Sequence, residues 1–370
     1  MVPSLALTLL LAAGCGSGHG GAVPSPTPST PGPSATPSPS QTTSTRTATP
    51  TATPTRTPTR TPTATPSVAP ARLTVGRSAW ISVSVARFWD SPSAPWSVDA
   101  PALAQPVRFR TWLAAMTLSQ RRALGVRSQG EALLGDRVLV TSLRSGWAKV
   151  VVPSQPTPLD RRGYPAWIPT RQLSARAPTR TAQVATVVVP TTWLSTDATT
   201  SRHTIEISLG TDLPVLGRIG DTVRVALPSG AAQRVSSSAV VVHAPGTPAL
   251  SLSGAGLVRT AKSLLGVQYL WGGVSGFGVD CSGLTWLDYR VHGKVIPRDA
   301  EPQYRAGRAP ASLAPGDLLF YANSSGVHHV SIYLGGGMML HAPATGSPVQ
   351  ITSFSEQPLR SEYVGARRFS

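Results

Sequence analysis

Apolar and polar residues alternate in Trp80-Ile81-Ser82-Val83-Ser84-Val85, in Arg137-Val138-Leu139-Val140 and in Trp147-Ala148-Lys149-Val150-Val151-Val152. A period of two buries one face of a sheet, and short runs of this kind bounded by Gly and Pro predict a small barrel or sandwich. Residues 111–124 carry apolar side chains at near-helical spacing, which predicts one short helix set in a long loop. A second β-rich run covers residues 183–242, with strands predicted at 185–189, 204–207 and 222–227. The pattern changes after residue 250. The segment VDCSGLTWLDYR, residues 279–290, opens on a capping carboxylate and continues with Leu284, Trp286, Leu287 and Tyr289. This predicts a helix with Asp280 as N-cap and Cys281 in its first turn. Further on, His329-Val330-Ser331-Ile332-Tyr333-Leu334 alternates as a strand, Gly335-Gly336-Gly337 forms a turn, and Met338-Met339-Leu340-His341 returns.

The N-terminal region has no such periodicity. Residues 5–14 form the apolar run LALTLLLAAG directly before Cys15, which predicts a signal peptide over residues 1–14. Ala12-Ala13-Gly14-Cys15 resembles the lipobox of bacterial lipoproteins, and the resemblance implies a lipid anchor on Cys15 and an extracytoplasmic, membrane-anchored protein facing the cell wall. Residues 15–72 are dominated by Pro, Thr and Ser, with almost nothing apolar to bury, and read as a disordered stalk. At about 3.1 Å per residue in polyproline form, such a tract reaches on the order of 150 Å. No other stretch is apolar enough to span a membrane, which excludes a multi-span protein. The formal charge is +17, with 33 basic and 16 acidic residues, of which only three of the basic ones are Lys. A basic surface suits anionic wall polymers or nucleic acid, and export argues against nucleic acid. The expected domains are therefore 73–177 and 178–247, both all-β, and 250–370, which carries the chemistry.

The chain has two cysteines, Cys15 and Cys281. With Cys15 lipidated or removed, Cys281 is a lone exported thiol that calls for an explanation. At a helix start the free amides and the dipole favour the thiolate, so its pKa is expected to fall. If the later hairpin centres on Gly336, paired positions sum to 672 and His341 lies opposite Ser331. His329 then shares that face and meets His341 diagonally, while His328 points the other way. One of the two histidines can then act as base toward the Cys281 thiol and the other can fix its tautomer, the logic of a nucleophile, base and orienter. Two histidines on one hairpin could also ligate a metal, but no carboxylate or further His stands at ligand spacing, so neither metal nor cofactor is expected.

Leu133-Leu134-Gly135-Asp136-Arg137-Val138, Ser145-Gly146-Trp147-Ala148-Lys149-Val150 and Gly163-Tyr164-Pro165-Ala166-Trp167-Ile168-Pro169 look like a bacterial SH3 domain, of the kind that precedes the catalytic domain in dipeptidyl-peptidase VI type enzymes. Residues 180–245 resemble a second SH3 domain in position and strand content. In the last third, Gly266-Val267-Gln268-Tyr269-Leu270-Trp271-Gly272-Gly273, Asp280-Cys281-Ser282-Gly283-Leu284, Ile296-Pro297-Arg298-Asp299-Ala300, Pro315-Gly316-Asp317-Leu318-Leu319-Phe320 and the two histidine strands resemble the NlpC family of papain-like cell-wall cysteine peptidases.

The resemblance implies an α+β fold, in which an antiparallel sheet and a Cys-bearing helix follow two small SH3-like barrels. It also implies Cys281 as nucleophile, His329 as base, His341 as orienter and the Tyr269 hydroxyl near the nucleophile. The implied substrate is the γ-D-glutamyl to diamino acid bond, with meso-diaminopimelate or L-Lys, in peptidoglycan stem peptides or released muropeptides. In the dipeptidyl-peptidase VI group a free N-terminal L-Ala is held by groups matching Asp280, Ser282 and Asp299, with Glu131 and Tyr164 supplied by the first SH3 domain. Two alternatives stand beside this: an endopeptidase or amidase on intact wall, and a non-catalytic wall-binding lipoprotein.

Overall fold

The run at 80–85 becomes two strands joined by a corner. Ser78–Ile81 pairs with Arg137–Arg144, whereas Val85–Trp89 pairs with Ser128–Leu133. The alternation changes phase at the corner: Ile81 and Val83 share one core with Ala86 and Phe88, whereas Val85 and Trp89 face another, so the second strand is buried on both sides. This is seen in a computed structural model that describes residues 72–369. The expected signal peptide and all but the last residue of the expected stalk, Cys15 included, lie outside the described residues.

The first β unit is an antiparallel sheet in the order Ser128–Leu133, Val85–Trp89, Tyr164–Pro169, Trp147–Val152, Arg137–Arg144, Ser78–Ile81, Leu173–Ser174. The second runs His203–Ser208, Thr191–Thr196, Ala232–Ser236, Thr222–Ala226, Asp212–Ile219, Val184–Val187, Val240–His243. Taken in chain order within each unit, the two arrangements are the same. They differ between the second and third strands. There the second unit has a short turn, and the first carries a helical insert.

That insert is not the single helix expected at 111–124. Phe109–Ala115 ends at Met116, which is extended, and Thr117 then starts a new helix, Leu118–Arg122. Thr117 accepts from the Gln120 backbone N–H at 3.2 Å while the Gln120 side chain accepts from the Thr117 N–H at 2.9 Å. This reciprocal cap fixes a boundary inside an apolar spacing that looks continuous.

The C-terminal region is a five-stranded antiparallel sheet in the order Gln350–Ser353, Met338–His341, Gly326–Gly335, Leu318–Asn323, Tyr363–Arg367. Ile332 pairs with Leu340 and Tyr333 with Met339, as the hairpin arithmetic expects, before a bulge shifts Gly335 opposite Met338. All three turn glycines have positive φ, a conformation costly for other residues. The helix Cys281–Val291 packs on this sheet, and every residue in it except Arg290 is buried.

One hydrophobic cluster crosses the unit boundaries. Val85, Trp89, Phe109, Trp112, Leu124 and Leu133 from the first β unit and Leu209 from the second join Leu264, Leu284, Trp286, Leu287, Ile296, Val330 and Leu340 of the C-terminal region.

Candidate active site

Cys281 begins its helix, and Asp280 closes the first turn by accepting from the Gly283 N–H at 2.6 Å. The other contacts of Asp280 are dense. Arg298 donates to it twice, at 3.1 and 2.7 Å, the Gly272 N–H donates at 2.8 Å, and Ser282 Oγ donates at 3.3 Å. Arg298 Nη1 also donates to Ser282 Oγ at 3.0 Å. A carboxylate has about four lone-pair sites, and these contacts engage both oxygens of Asp280, which keeps 11% of its side chain exposed. In this structure it caps the helix and pairs with Arg298 beside the Cys281 thiol.

The thiol is buried, and the backbone N–H groups of Ser282 and Val330 face it, with the Tyr269 phenol close enough to feel its charge. Burial pushes the Cys281 thiol up to about 12, with Asp280 adding to the rise and the two amides opposing it. The helix start alone suggested a fall. Its pull on the thiolate is outweighed here by desolvation of the buried thiol.

His329 sits on the strand Gly326–Gly335, next to Val330, whose amide faces the sulfur. Its Nε2 lies 3.0 Å from His341 Nδ1, and His341 Nε2 lies 3.4 Å from Thr352 Oγ1. These distances fit two proton arrangements, and the one that leaves His329 Nδ1 free as a base puts a proton on His341 Nε2 toward Thr352 and has His341 Nδ1 accept from His329 Nε2–H. Burial holds both imidazoles below the ordinary histidine value, His329 at about 3 and His341 at about 4. His328 is exposed and contacts Glu362 at 3.2 Å. The hydroxyl of Ser331 is engaged by Tyr321 at 2.9 Å, and the Tyr321 ring stands against His329 with centroids 5.6 Å apart.

Tyr164 and Asp299 meet across the boundary between the first β unit and the C-terminal region, where the phenol donates to the carboxylate. Burial raises the Asp299 carboxyl above its ordinary range, and Arg298 opposes the rise. Burial raises the Tyr164 phenol as well.

Glu131 is not with them. It is completely buried, with Oε1 accepting from Arg87 Nη1 at 3.1 Å and Oε2 from the Val274 N–H at 3.0 Å. The expectation that Glu131 meets the substrate amine is corrected, since both oxygens are occupied and no face reaches solvent.

The first β unit also walls the site. Pro156 O accepts from the Arg298 N–H at 3.0 Å. Gly272, at φ +72°, lies so near that a Cβ there would come within 2.7 Å of the Gly130 nitrogen. In the insert, Gly125 abuts Trp271 and Leu118 lies over Gly346, in the loop after His341. The insert therefore reaches both the segment after Tyr269 and the segment after His341. Among the described residues no cluster of three or more His, Cys, Asp or Glu is arranged to hold a metal ion.

Comparison with known proteins settles the family. A γ-D-glutamyl-L-lysine dipeptidyl-peptidase of Bacillus cereus is 36% identical over 301 residues, spanning 79% of this chain and 90% of that protein. One from Bacillus subtilis is 36% identical over 292 residues, spanning 77% of this chain and 96% of that protein. The profile of the NlpC/P60 family matches residues 266–368. The chain belongs to the NlpC/P60 family. It is an enzyme, a cysteine peptidase of that family. A profile for the YKFC SH3b2 domain matches residues 187–243, which covers most of the second β unit. The crystal structure of an NlpC/P60 family protein from Bacillus cereus superposes with a TM-score of 0.74 at 34% identity, covering 79% of this chain and 99% of that one. The family resemblance and the α+β fold read from the sequence are thus borne out.

Three residues near the site were not singled out by the sequence pattern. Arg298 lies within the motif Ile296 to Ala300, beside Asp299, and an Arg next to an expected binding carboxylate is a signal. Arg87 interrupts the otherwise apolar strand Val85–Trp89, a weaker signal of a buried charge with a partner. Thr352 gives none, because only the strand pairing Leu340 with Ile351 brings it beside His341.

Proposed function

We propose that this protein hydrolyses the bond between the γ-carboxyl of D-glutamate and a diamino acid in peptidoglycan stem peptides with a free N-terminal L-Ala, releasing L-Ala-γ-D-Glu. The observation that carries this reading is the junction of Tyr164 with Asp299. There a half-buried carboxylate of the catalytic region meets a buried phenol of the first β unit, next to the Asp280 and Arg298 pair at the start of the Cys281 helix. A carboxylate that receives only a phenol hydrogen bond keeps lone pairs for an ammonium group. The wall formed by the insert suits a substrate that ends there. The relatives named as γ-D-glutamyl-L-lysine dipeptidyl-peptidases support the same substrate class.

The residues supply the chemistry in order. As Cys281 Sγ attacks the γ-glutamyl carbonyl, its proton passes to His329 Nδ1. The C–N bond breaks, and the diamino acid leaves as an amine carrying that proton, which leaves a γ-glutamyl thioester. Water attacks the thioester and gives a proton to His329. The C–S bond breaks, the dipeptide leaves as the acid, and the proton returns to the thiol. With burial favouring the neutral thiol and neutral imidazole, proton transfer accompanies attack. His341, backed by Thr352, keeps the basic nitrogen of His329 turned to the sulfur.

The test compares L-Ala-γ-D-Glu-L-Lys with its N-acetylated form, products being followed by mass spectrometry. Loss of a charge-assisted hydrogen bond, worth about 1.5 to 3 kcal/mol, gives on the order of tenfold or more in kcat/KM in favour of the free amine. Equal rates would move the protein to the endopeptidases of intact wall, release at the L-Ala bond would make it an amidase, and an inert, folded protein would be a binder. Cys281→Ala abolishes turnover if the thiol is the nucleophile.

A further inference from the structure

The site depends on a short strap, residues 271–274, which joins the Tyr269 segment to the turn before Asp280. Its backbone is held from both sides. On the catalytic side, the Gly272 N–H donates to Asp280 Oδ2 at 2.8 Å and the Asp280 N–H donates to Gly273 O at 3.2 Å. On the other side stand two fully buried charged residues of the first β unit. Arg87 Nη2 donates to Trp271 O at 2.8 Å, and Glu131 Oε2 accepts from the Val274 N–H at 3.0 Å. Arg87 and Glu131 are joined at 3.1 Å, and Arg87 Nε is fixed by Ser128 Oγ at 3.0 Å, which donates in turn to Phe88 O at 2.7 Å.

The pair thus clips the first and last residues of the strap, and each member uses one arm on its partner and one on the strap. Arg87 and Glu131 pair across adjacent strands, Val85–Trp89 and Ser128–Leu133, in direct register. The clip is therefore part of a rigid sheet and not of a loop. Gln155 Nε2 adds a bond to Glu131 O at 2.7 Å.

We infer that Arg87 and Glu131 are positioning residues for catalysis: from the first SH3-like unit they hold the strap whose Gly272 amide seats Asp280, and through Asp280 they set the first turn of the Cys281 helix. The inference rests on the reading of Cys281 as nucleophile. Removing two charges together, by Arg87→Met with Glu131→Leu, strands neither in the interior, and a buried pair replaced by apolar residues of similar size usually leaves stability little changed. The strap then loses both clips while the hydrophobic fit is kept.

The experiment uses the full chain and measures melting temperature, kcat and KM on L-Ala-γ-D-Glu-L-Lys, hydrogen exchange of peptides covering 270–275, and the rate at which iodoacetamide alkylates Cys281. The double variant is expected to melt within a few degrees of the wild type and to lose at least tenfold in kcat with KM changed less than about threefold. Exchange at the strap is expected to quicken without a matching change in the second β unit, and the alkylation rate to shift. A group that only stabilises the fold would lower the melting point and leave kcat of the folded protein alone. Wild-type kcat and alkylation rate in a normally folded double variant would overturn the inference, and so would a loss of kcat with strap exchange unchanged.

Glu131→Gln keeps an acceptor for Val274 and should retain more activity than Glu131→Leu. This comparison serves if the double variant fails to fold, and equal activity in the two folded single variants would overturn the role of that bond. Alkylation needs no peptide substrate, so it reads the strap even if the proposed substrate is wrong. A Cys281→Ala protein that still hydrolyses would fault the nucleophile and not the clip.

Discussion

Four acidic residues of the junction, Asp280, Asp299, Glu131 and Asp136, show how differently one functional group behaves in different company. Asp280 and Glu131 are matched by Arg298 and Arg87, and Asp136 by Arg290 at 2.6 Å. Asp299 has no such partner of its own, and burial raises its pKa. This has a pH consequence with a definite sign. Asp299 must be ionised to receive an ammonium group, and the peptide α-amine stays protonated below about 8. The profile of kcat/KM reports the free enzyme, so its acid limb should lie above the ordinary carboxylate value, well above the value of about 3 for His329. Asp299→Asn should lower kcat/KM and move that limb down. Limbs that coincide in the two proteins, measured from pH 3 to 7, would assign the limb to another group. At this scale the sequence was informative where chemistry is local. Cys281 follows a capping residue, and His329 and His341 occupy one face of a hairpin whose centre can be counted. It misled on Glu131 and on the thiol pKa, because neither an ion partner in an adjacent strand nor the depth of a pocket is written near the residue.

The helix Cys281–Val291 carries the Cys281 thiol at one end and an anomaly near the other. Asp288 is completely buried, and among the described residues neither carboxylate oxygen has a hydrogen-bond partner. His292 Nε2 stands 3.7 Å away, too far for a hydrogen bond, and meets Thr260 Oγ1 at 3.1 Å instead. Burial therefore pushes the Asp288 carboxyl well above its ordinary value. An unfolded Asp ionises near 3.9. Above that pH the unfolded chain gives up a proton that the folded chain keeps, so folding loses stability as pH rises, until the folded pKa is reached. Asp288→Leu, similar in reach and without the polar burden, should stabilise the protein by about 1 to 3 kcal/mol at pH 7, and by less at pH 4.5. Urea unfolding at the two pH values checks it, and a loss of stability at both would mean that the carboxyl is serving a group not apparent here. A cap followed by Leu284, Trp286, Leu287 and Tyr289 predicts the helix, yet nearly every side of it is buried. Periodicity reports which face is most apolar. It does not report that a sheet and two β units will cover the others. For the same reason residues 111–124 looked like one helix, since a cap made by Thr117 and Gln120 leaves no mark in the apolar spacing.

For the molecule as a whole, the decisive feature is the hydrophobic cluster common to the first β unit and the catalytic region. Units that share a core are expected to melt together. Calorimetry should show the first β unit and the catalytic region unfolding in one transition. Trp112→Ala, which opens a large cavity in a fully buried position of the insert, should lower that transition by about 3 to 5 kcal/mol. A lower transition confined to the first unit, with the catalytic region melting as before, would refute the shared core. Alternating strands told of two small β units but not that they repeat one strand order, since order depends on which strands meet. Nor could the spacing show that the insert is the one departure from that repeat. The common core also has a consequence in time. A chain delivered from its N-terminus presents Trp89, Trp112 and Leu133 before Leu284, Ile296 and Leu340 exist to cover them. The first unit has to wait, with an apolar side open to water, until nearly the whole polypeptide has emerged. A nascent or clipped form that stops short of Ile296 therefore keeps the barrel core of Ile81, Phe88, Val150 and Ile168 but leaves Trp89, Trp112 and Leu133 without their cover.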